Sequence, residues 1–305
     1  MSKKILWSFN PFQDEPQLLK NVAGFLKILA RQAGAPIEPV YVVSPAEVNV
    51  VLEFSVPAKD RFAAVAQLEC EKVLKKIAFP GLRKATVLVE SQVRLSASAK
   101  TLAQYAKKCG AAAVVVGTHA KSGLGRLLLG SFAETLIFAS QTPLLIVNPH
   151  LKKPRALRRV LFASDFSPDS RRVFRRLCEF LKPLKSQLTL FHAIPKPFPW
   201  AFPATQYLLG ARSMSEGEYL REVEREDARM AEPFLKIAKA ARLPCQLQLK
   251  LSGDDVAAAA LAQAAKAKAD MIALSAQTGR VETALLGSTS RGILREASVP
   301  VWVLR

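Results

Sequence analysis

The chain has 305 residues, of which 50% are hydrophobic and 23% charged. That is close to ordinary globular usage and excludes disordered, collagen-like and disulfide-scaffold classes. The length exceeds a usual single domain of roughly 100 to 200 residues and points to two. The formal charge of +19 is shared: 18 basic against 10 acidic residues give +8 in 1–150, and 26 against 15 give +11 in the rest. Such a charge favours anionic partners through salt-sensitive forces and says nothing of the fold.

Lys3 and Lys4 precede a short apolar run, Ile5 to Phe9, which Asn10 and Pro11 break before a signal-peptide core can form. The longest apolar runs, such as Ala111 to Val116 and Val256 to Ala262, fall short of the roughly 18 residues of a membrane span. No membrane insertion is expected, and the expected location is the cytoplasm. Cys70, Cys109, Cys178 and Cys245 are widely spaced with no CxxC pair, which fits reduced, buried thiols better than a metal site or disulfides.

Strand-like runs at Ile5 to Phe9, Pro39 to Val43, Thr86 to Glu90, Ala112 to Val116 and Leu144 to Val147 alternate with helix-like stretches. In one of these, Phe62, Ala66, Cys70, Val73 and Ile77 form a stripe along one helix face. The order then recurs, with strands expected at Val160 to Ala163, Leu188 to Ile194, Cys245 to Leu251, Met271 to Leu274 and Val301 to Leu304. Between the two series, Asn148 to Leu157 reads as a short basic linker, and the proline-rich Pro195 to Pro203 as a surface loop. On the helix that follows, Glu218, Glu222 and Glu226 each precede an arginine by three positions, a self-paired solvated face.

The endings also match. Leu128-Leu129-Gly130-Ser131 precedes Pro143 and Leu144 to Val147; Leu285-Leu286-Gly287-Ser288 precedes Pro300 and Val301 to Leu304, with thirteen residues from Gly to Pro in both. The beginnings correspond as well, Lys4 to Asn10 with Arg159 to Asp165. The chain is therefore a duplicated unit, with domains at 1–150 and 151–305. Strands joined by helical crossovers pair in parallel and place a ligand crevice at their carboxyl ends.

After the fourth strand come Gly117-Thr118-His119-Ala120-Lys121-Ser122-Gly123-Leu124-Gly125-Arg126, then Gly130, Ser131 and Phe132 opening a helix. A glycine-rich loop between strand and helix lets backbone amides approach phosphate oxygens, and the helix N-terminus adds its dipole. The loop is neither a Walker A sequence nor a dinucleotide fingerprint. It does resemble the signature of the universal stress protein family, G-x2-G-x9-G-[ST], with Gly117, Ala120, Gly130 and Ser131 at its four positions. The resemblance covers nearly the whole chain as two copies.

That resemblance implies two open five-stranded parallel sheets with helices on both faces, an adenine-nucleotide alpha-hydrolase-like fold packed as an intramolecular pseudodimer through the last strands. It also implies a non-catalytic, cytoplasmic stress-response protein that binds ATP or another adenine nucleotide and can form a homodimer. The phosphates would lie on the Gly117 to Phe132 loop, with Asn10 at the position of an adenosine-contacting Asp and Val42 bordering the base. Asn10 lacks the carboxylate charge, and a Cβ at Ala120 would weaken a left-handed position by roughly 1 to 2 kcal/mol. In the second copy Asp165 restores the carboxylate. Counting back from Gly287, however, puts Leu274 and Gln277 where the early glycines belong, so the first copy is expected to hold the nucleotide. His119, alone in the loop, gives no catalytic constellation, and no metal or catalytic residue is expected; a weak ATPase is the enzymatic alternative. The non-nucleotide alternative is an interaction module whose basic surface, Arg171, Arg172, Arg175, Arg176 and the linker, binds an acidic protein or nucleic acid.

Overall fold

Ten strands and eight helices alternate along the residues that the computed structural model describes: 3–44, 56–92, 94–118, 131–149, 151, 153–195, 216–253, 255–276 and 286–305. The first repeat runs β1 (Ile5–Ser8), α1 (Pro16–Ala33), β2 (Ile37–Val43), α2 (Val56–Lys76), β3 (Thr86–Val89), α3 (Leu95–Lys108), β4 (Ala113–Gly117), α4 (Ser131–Ala139) and β5 (Leu144–Val147). The second runs β6 (Arg159–Ala163), α5 (Pro168–Leu181), β7 (Gln187–Pro195), α6 (Glu216–Ala240), β8 (Cys245–Ser252), α7 (Val256–Lys266), β9 (Met271–Ser275), α8 (Ser288–Glu296) and β10 (Val301–Leu304). Each of the ten apolar runs is a strand.

The boundary of β2 differs from the sequence reading. It starts at Ile37 and carries Pro39 inside it, paired with Trp7. Ile37 turns its N–H and C=O toward Gly81 and Arg83, so Pro39, two residues on, faces the same side. There β3 joins only from Thr86 opposite Val40, and the missing amide breaks no ladder.

The strands form one sheet in the order β3-β2-β1-β4-β5-β10-β9-β6-β7-β8. Every pairing is parallel except β5 with β10, which is antiparallel with Val301 opposite Ile146, Trp302 opposite Leu145 and Val303 opposite Leu144. Helices α1, α2, α5 and α6 cover one face, where Trp7, Phe25, Phe162, Phe174 and Trp302 are buried. Helices α3, α4, α7 and α8 cover the other, over an alanine- and valine-rich layer. The predicted α2 stripe packs inward as its period requires, with Ala66 and Cys70 fully buried. Burial pushes the Cys70 and Cys178 thiols up to about 12 and Cys245 to about 11, so all three remain inert thiols at neutral pH.

The linker is laid along α1. Asn21 Nδ2 donates to the Leu151 carbonyl at 3.2 Å, and Gln32 donates to the carbonyls of Leu157 and Leu184 while accepting from the Leu157 N–H at 2.9 Å. At its first residue, buried Asn148 bridges the repeats. Its Nδ2 donates to the carbonyls of Leu294 (2.9 Å) and Ala297 (3.0 Å), and its Oδ1 accepts from the Thr118 hydroxyl at 2.9 Å. Asn148→Leu strands three buried polar groups, each costing about 1 to 3 kcal/mol. The expected loss is at least about 3 kcal/mol in denaturant unfolding; a loss under about 1 kcal/mol would show that Asn148 is not a structural bridge.

Candidate functional site

In the first repeat, Asn10, Gly117 and Ser131 lie at the carboxyl end of the sheet, where β1 and β4 run side by side. Asn10 is occupied by its own turn: its Oδ1 accepts from the Phe12 N–H at 3.0 Å and its N–H donates to Asp14 Oδ2 at 2.9 Å. Gly117 closes β4, and a Cβ there would stand 3.2 Å from a Leu18 methyl. The glycine thus lets α1 close over the strand end. Val42 is buried within β2, on the face that α3 covers. Ser131 is the exposed first residue of α4, and Phe132 packs against the core of that face. Ala120, Gly130 and the intervening loop with His119, Lys121, Gly123, Gly125 and Arg126 lie outside the described residues.

Strand registers correct one sequence correspondence. Val160 pairs with Leu188 and Met271 as Ile5 pairs with Ile37 and Ala113. The counterpart of Gly117 is therefore Ser275, one residue beyond Leu274, and Ala193 stands at the Val42 position. Counting back from Gly287 failed because the second loop is one residue shorter. Gln277 lies outside the described residues.

The second repeat holds an open cavity of about 450 Å³ at the carboxyl ends of β6, β7 and β9. Asp165 and His192 are its titratable lining groups. The β6–α5 loop is fixed by its own side chains: Ser164 Oγ accepts from the Phe166 N–H, Asp165 Oδ1 from the Ser167 N–H, and Ser167 Oγ caps α5 through the Ser170 N–H. Asp165 is held exposed at the rim. Opposite it, α8 begins on Gly287, which has no side chain to cap the first turn; Gly287, Thr289 and Ser290 line the cavity. Where the first repeat carries Leu18, third in a helix opening on proline, the second carries the small Ser170 on the cavity wall.

Behind the wall lies a pair that sequence spacing does not reveal. His192 Nδ1 donates to the Ser164 carbonyl at 2.7 Å, its Nε2 stands 3.8 Å from Asp227 Oδ2 on α6, and Phe166 stacks on its ring at 4.6 Å between centroids. Phe166 holds a left-handed backbone (φ 57), unusual for an aromatic residue and maintained by its packing on His192 and Phe234. Burial raises the Asp227 carboxyl above its ordinary range, while His192 pulls it back. Among the described residues no group of three His, Cys, Asp or Glu could hold a metal ion, and no helix is long and apolar enough to cross a membrane.

Two parallel five-stranded α/β units joined through their last strands, with a crevice at the carboxyl strand ends facing a helix N-terminus, define a tandem protein of adenine-nucleotide alpha-hydrolase-like fold. The chain belongs to the universal stress protein family, whose model matches residues 1–148 and again 156–305. It is 29% identical over 130 residues to a universal stress protein of Methanocaldococcus jannaschii, covering 42% of this chain and 71% of that one. A crystal structure of a universal stress protein from Archaeoglobus fulgidus aligns over 100% of this chain and 97% of its own at 18% identity, with a TM-score of 0.63. A functionally unknown protein from Pseudomonas aeruginosa aligns over 99% and 92% at 16% identity, with a TM-score of 0.59. Both structural matches are likenesses of fold.

Because the folded Asp227 carboxyl holds its proton more tightly than the unfolded one, its contribution to stability is full below the ordinary carboxylate range and lost as pH rises through the raised value. Asp227→Asn removes this dependence. The melting temperature of the native chain is expected to gain on the variant as pH falls from 7 to 4, and the opposite slope would refute the dominance of burial over the His192 contact at Asp227.

Proposed function

We propose that the chain is an adenine-nucleotide-binding stress-response protein and that the second-repeat cavity is its principal site. The observation carrying this reading is the juxtaposition, across one cavity of about 450 Å³, of the Asp165 carboxylate with the N-terminus of α8, which no side chain among the described residues caps. The volume suits a small-molecule ligand. A carboxylate can accept from ribose hydroxyls, while the first-turn amides and positive dipole end of α8 suit phosphates. Asp165 stands where the family resemblance puts the adenosine-contacting Asp, and Ser275 removes the objection that a leucine fills the phosphate position.

The reading is of binding without turnover. His192 spends Nδ1 on the Ser164 carbonyl and turns Nε2 toward Asp227 at 3.8 Å, so the lining histidine is poorly placed as a base. The first repeat, with Asn10, Val42, Gly117, Ala120, Gly130, Ser131 and Phe132, is the weaker second site of the same proposal: Asn10 brings no charge and Leu18 sits over Gly117.

Gly287 has ordinary negative φ and no atom of the described residues within 4 Å of its Cβ position, so Gly287→Glu is expected to be tolerated by the fold while placing a carboxylate beside the phosphate site. Calorimetric titration of the nucleotide-free chain with ATP and Mg²⁺ is expected to show its tighter site lost in Gly287→Glu and in Asp165→Ala and kept in Gly130→Glu. Loss in Gly130→Glu alone would move the principal site to the first repeat. No saturable heat in the unmodified chain would defeat the nucleotide reading.

A further inference from the structure

The opposite ends of the second-repeat strands carry a different chemistry. Where the amino ends of β6 and β7 meet the C-terminal turns of α1, a groove of about 990 Å³ is lined by Lys27, Arg31, Arg155, Arg158, Arg159 and Lys185. One carboxylate, Asp270, lines it with them. Asp270 is spent on the floor, its Oδ2 accepting from the N–H groups of Arg158 and Arg159 and standing 3.9 Å from Arg159 Nε. Among the described residues no carboxylate pairs with Lys27, Arg31, Arg155, Arg158 or Lys185, and all five are exposed. The groove continues into neighbouring clefts, sharing Arg155 with one and Arg159 with the other.

Two further features set this groove apart from an ordinary solvated basic face. Its floor is fixed, because Gln32 ties the linker backbone at Leu157 to Leu184 and to α1, and the Ser186 hydroxyl donates to the same Leu157 carbonyl. Arg155 and Arg158 are therefore held between Arg31 and Lys185 without ordering a loose tether on binding. The second feature is strain. Three residues ahead of the strand position shared by β2 and β7, the first repeat has Gly34 at φ 60 and the second has Lys185 at φ 53. Ahead of β4 and β9 the same comparison gives Gly110 at φ 62 and Lys268 at φ 50, and Arg242 takes φ 58 ahead of β8. Cations thus occupy left-handed positions that favour glycine, at one end of the second repeat.

We infer that this groove is a second binding site, independent of the nucleotide cavity, for a chain of phosphates held through its non-ester oxygens. Guanidinium forks dominate the lining and match phosphate oxygens in pairs. No aromatic side chain lines the groove or the clefts that continue it among the described residues, so it offers no platform for stacking bases. The occupant this chemistry favours is therefore inorganic polyphosphate, whose chain carries no bases to stack.

The test uses the full chain, with inorganic polyphosphate, two single-stranded oligonucleotides of different sequence and equal length, and polyglutamate of matched charge as probes. Polyphosphate is expected to bind with an affinity that falls steeply with salt, and Arg155→Glu with Arg158→Glu to weaken it at least a hundredfold while ATP binding is unchanged. The decisive variant combines Lys185→Gly in the groove with Lys268→Gly in the cleft that continues it. It removes two charges while relieving backbone strain, so polyphosphate affinity should fall at least tenfold with the melting temperature unchanged or raised. Equal binding of both oligonucleotides, lost in the same variants, would extend the site to nucleic-acid backbones; binding of polyphosphate alone would assign it to that polymer. Undiminished polyphosphate binding by the glycine variant, polyglutamate binding as tight as polyphosphate, or discrimination between the two oligonucleotide sequences would overturn the inference.

Discussion

The antiparallel pairing of β5 with β10 is the constraint on which the rest of the structure depends. Both strands are four residues long and fully buried, and either repeat alone would expose its last strand as an apolar edge. Joining them merges two five-stranded sheets into one of ten and leaves, among the described residues, only β3 and β8 as edges. The pairing also brings α4 and α8 together across the seam, where Glu134 and Arg291 approach to 3.7 Å. Asn148, the first residue after β5, then completes the last turn of α8 while holding the Thr118 hydroxyl at the exit of β4. The helix whose N-terminus faces the second cavity is thus anchored at its C-terminus by a residue of the first repeat.

Within this frame the duplicated units keep their apolar pattern and diverge in polar chemistry. Asn10 faces Asp165 across the duplication, Leu18 faces Ser170, and Gly117 faces Ser275. Each exchange alters the carboxyl end of the sheet without disturbing strand pairing, because none of these side chains belongs to the ladder. Leucine over glycine closes the first strand end, whereas serine at both positions leaves room in the second. Gly34 against Lys185 and Gly110 against Lys268 alter the amino end by the same logic: backbone geometry is kept while the side chain changes.

Much of this was legible in the sequence, for identifiable reasons. Ten short apolar runs separated by periodic helices specify a parallel sheet with two covered faces, and the repeated Leu-Leu-Gly-Ser and Pro-apolar endings expose the duplication. The α2 stripe was legible because burial and helical period coincide there. The site was less legible. A one-residue difference in loop length exchanged Leu274 for Ser275, and only strand register, set by hydrogen bonds to β6 and β10, decides between them. His192 and Asp227 are 35 positions apart with no periodic relation, and meet because α6 crosses the end of β7. Nothing in the local sequence marks Lys185 or Lys268 as left-handed, since lysine does not favour that conformation.

The left-handed cations also bear on why the second repeat tolerates its charge. Each costs about 1 to 2 kcal/mol relative to a relaxed backbone, but each closes a helical turn, where the partial negative charge of the helix end returns about 0.3 to 1 kcal/mol to a cation. The remaining deficit is small beside the burial of Phe162, Phe174, Leu177 and Phe234 beneath α5 and α6. A stable core therefore lets the amino end of the second repeat concentrate positive charge while the carboxyl end of the same strands keeps a carboxylate, Asp165, beside a helix N-terminus. The two ends are separated by strands of five to nine residues that are hydrogen-bonded on both sides. A ligand at either end meets a wall already fixed by the sheet, so the opposed chemistries can coexist without one requiring the other to rearrange.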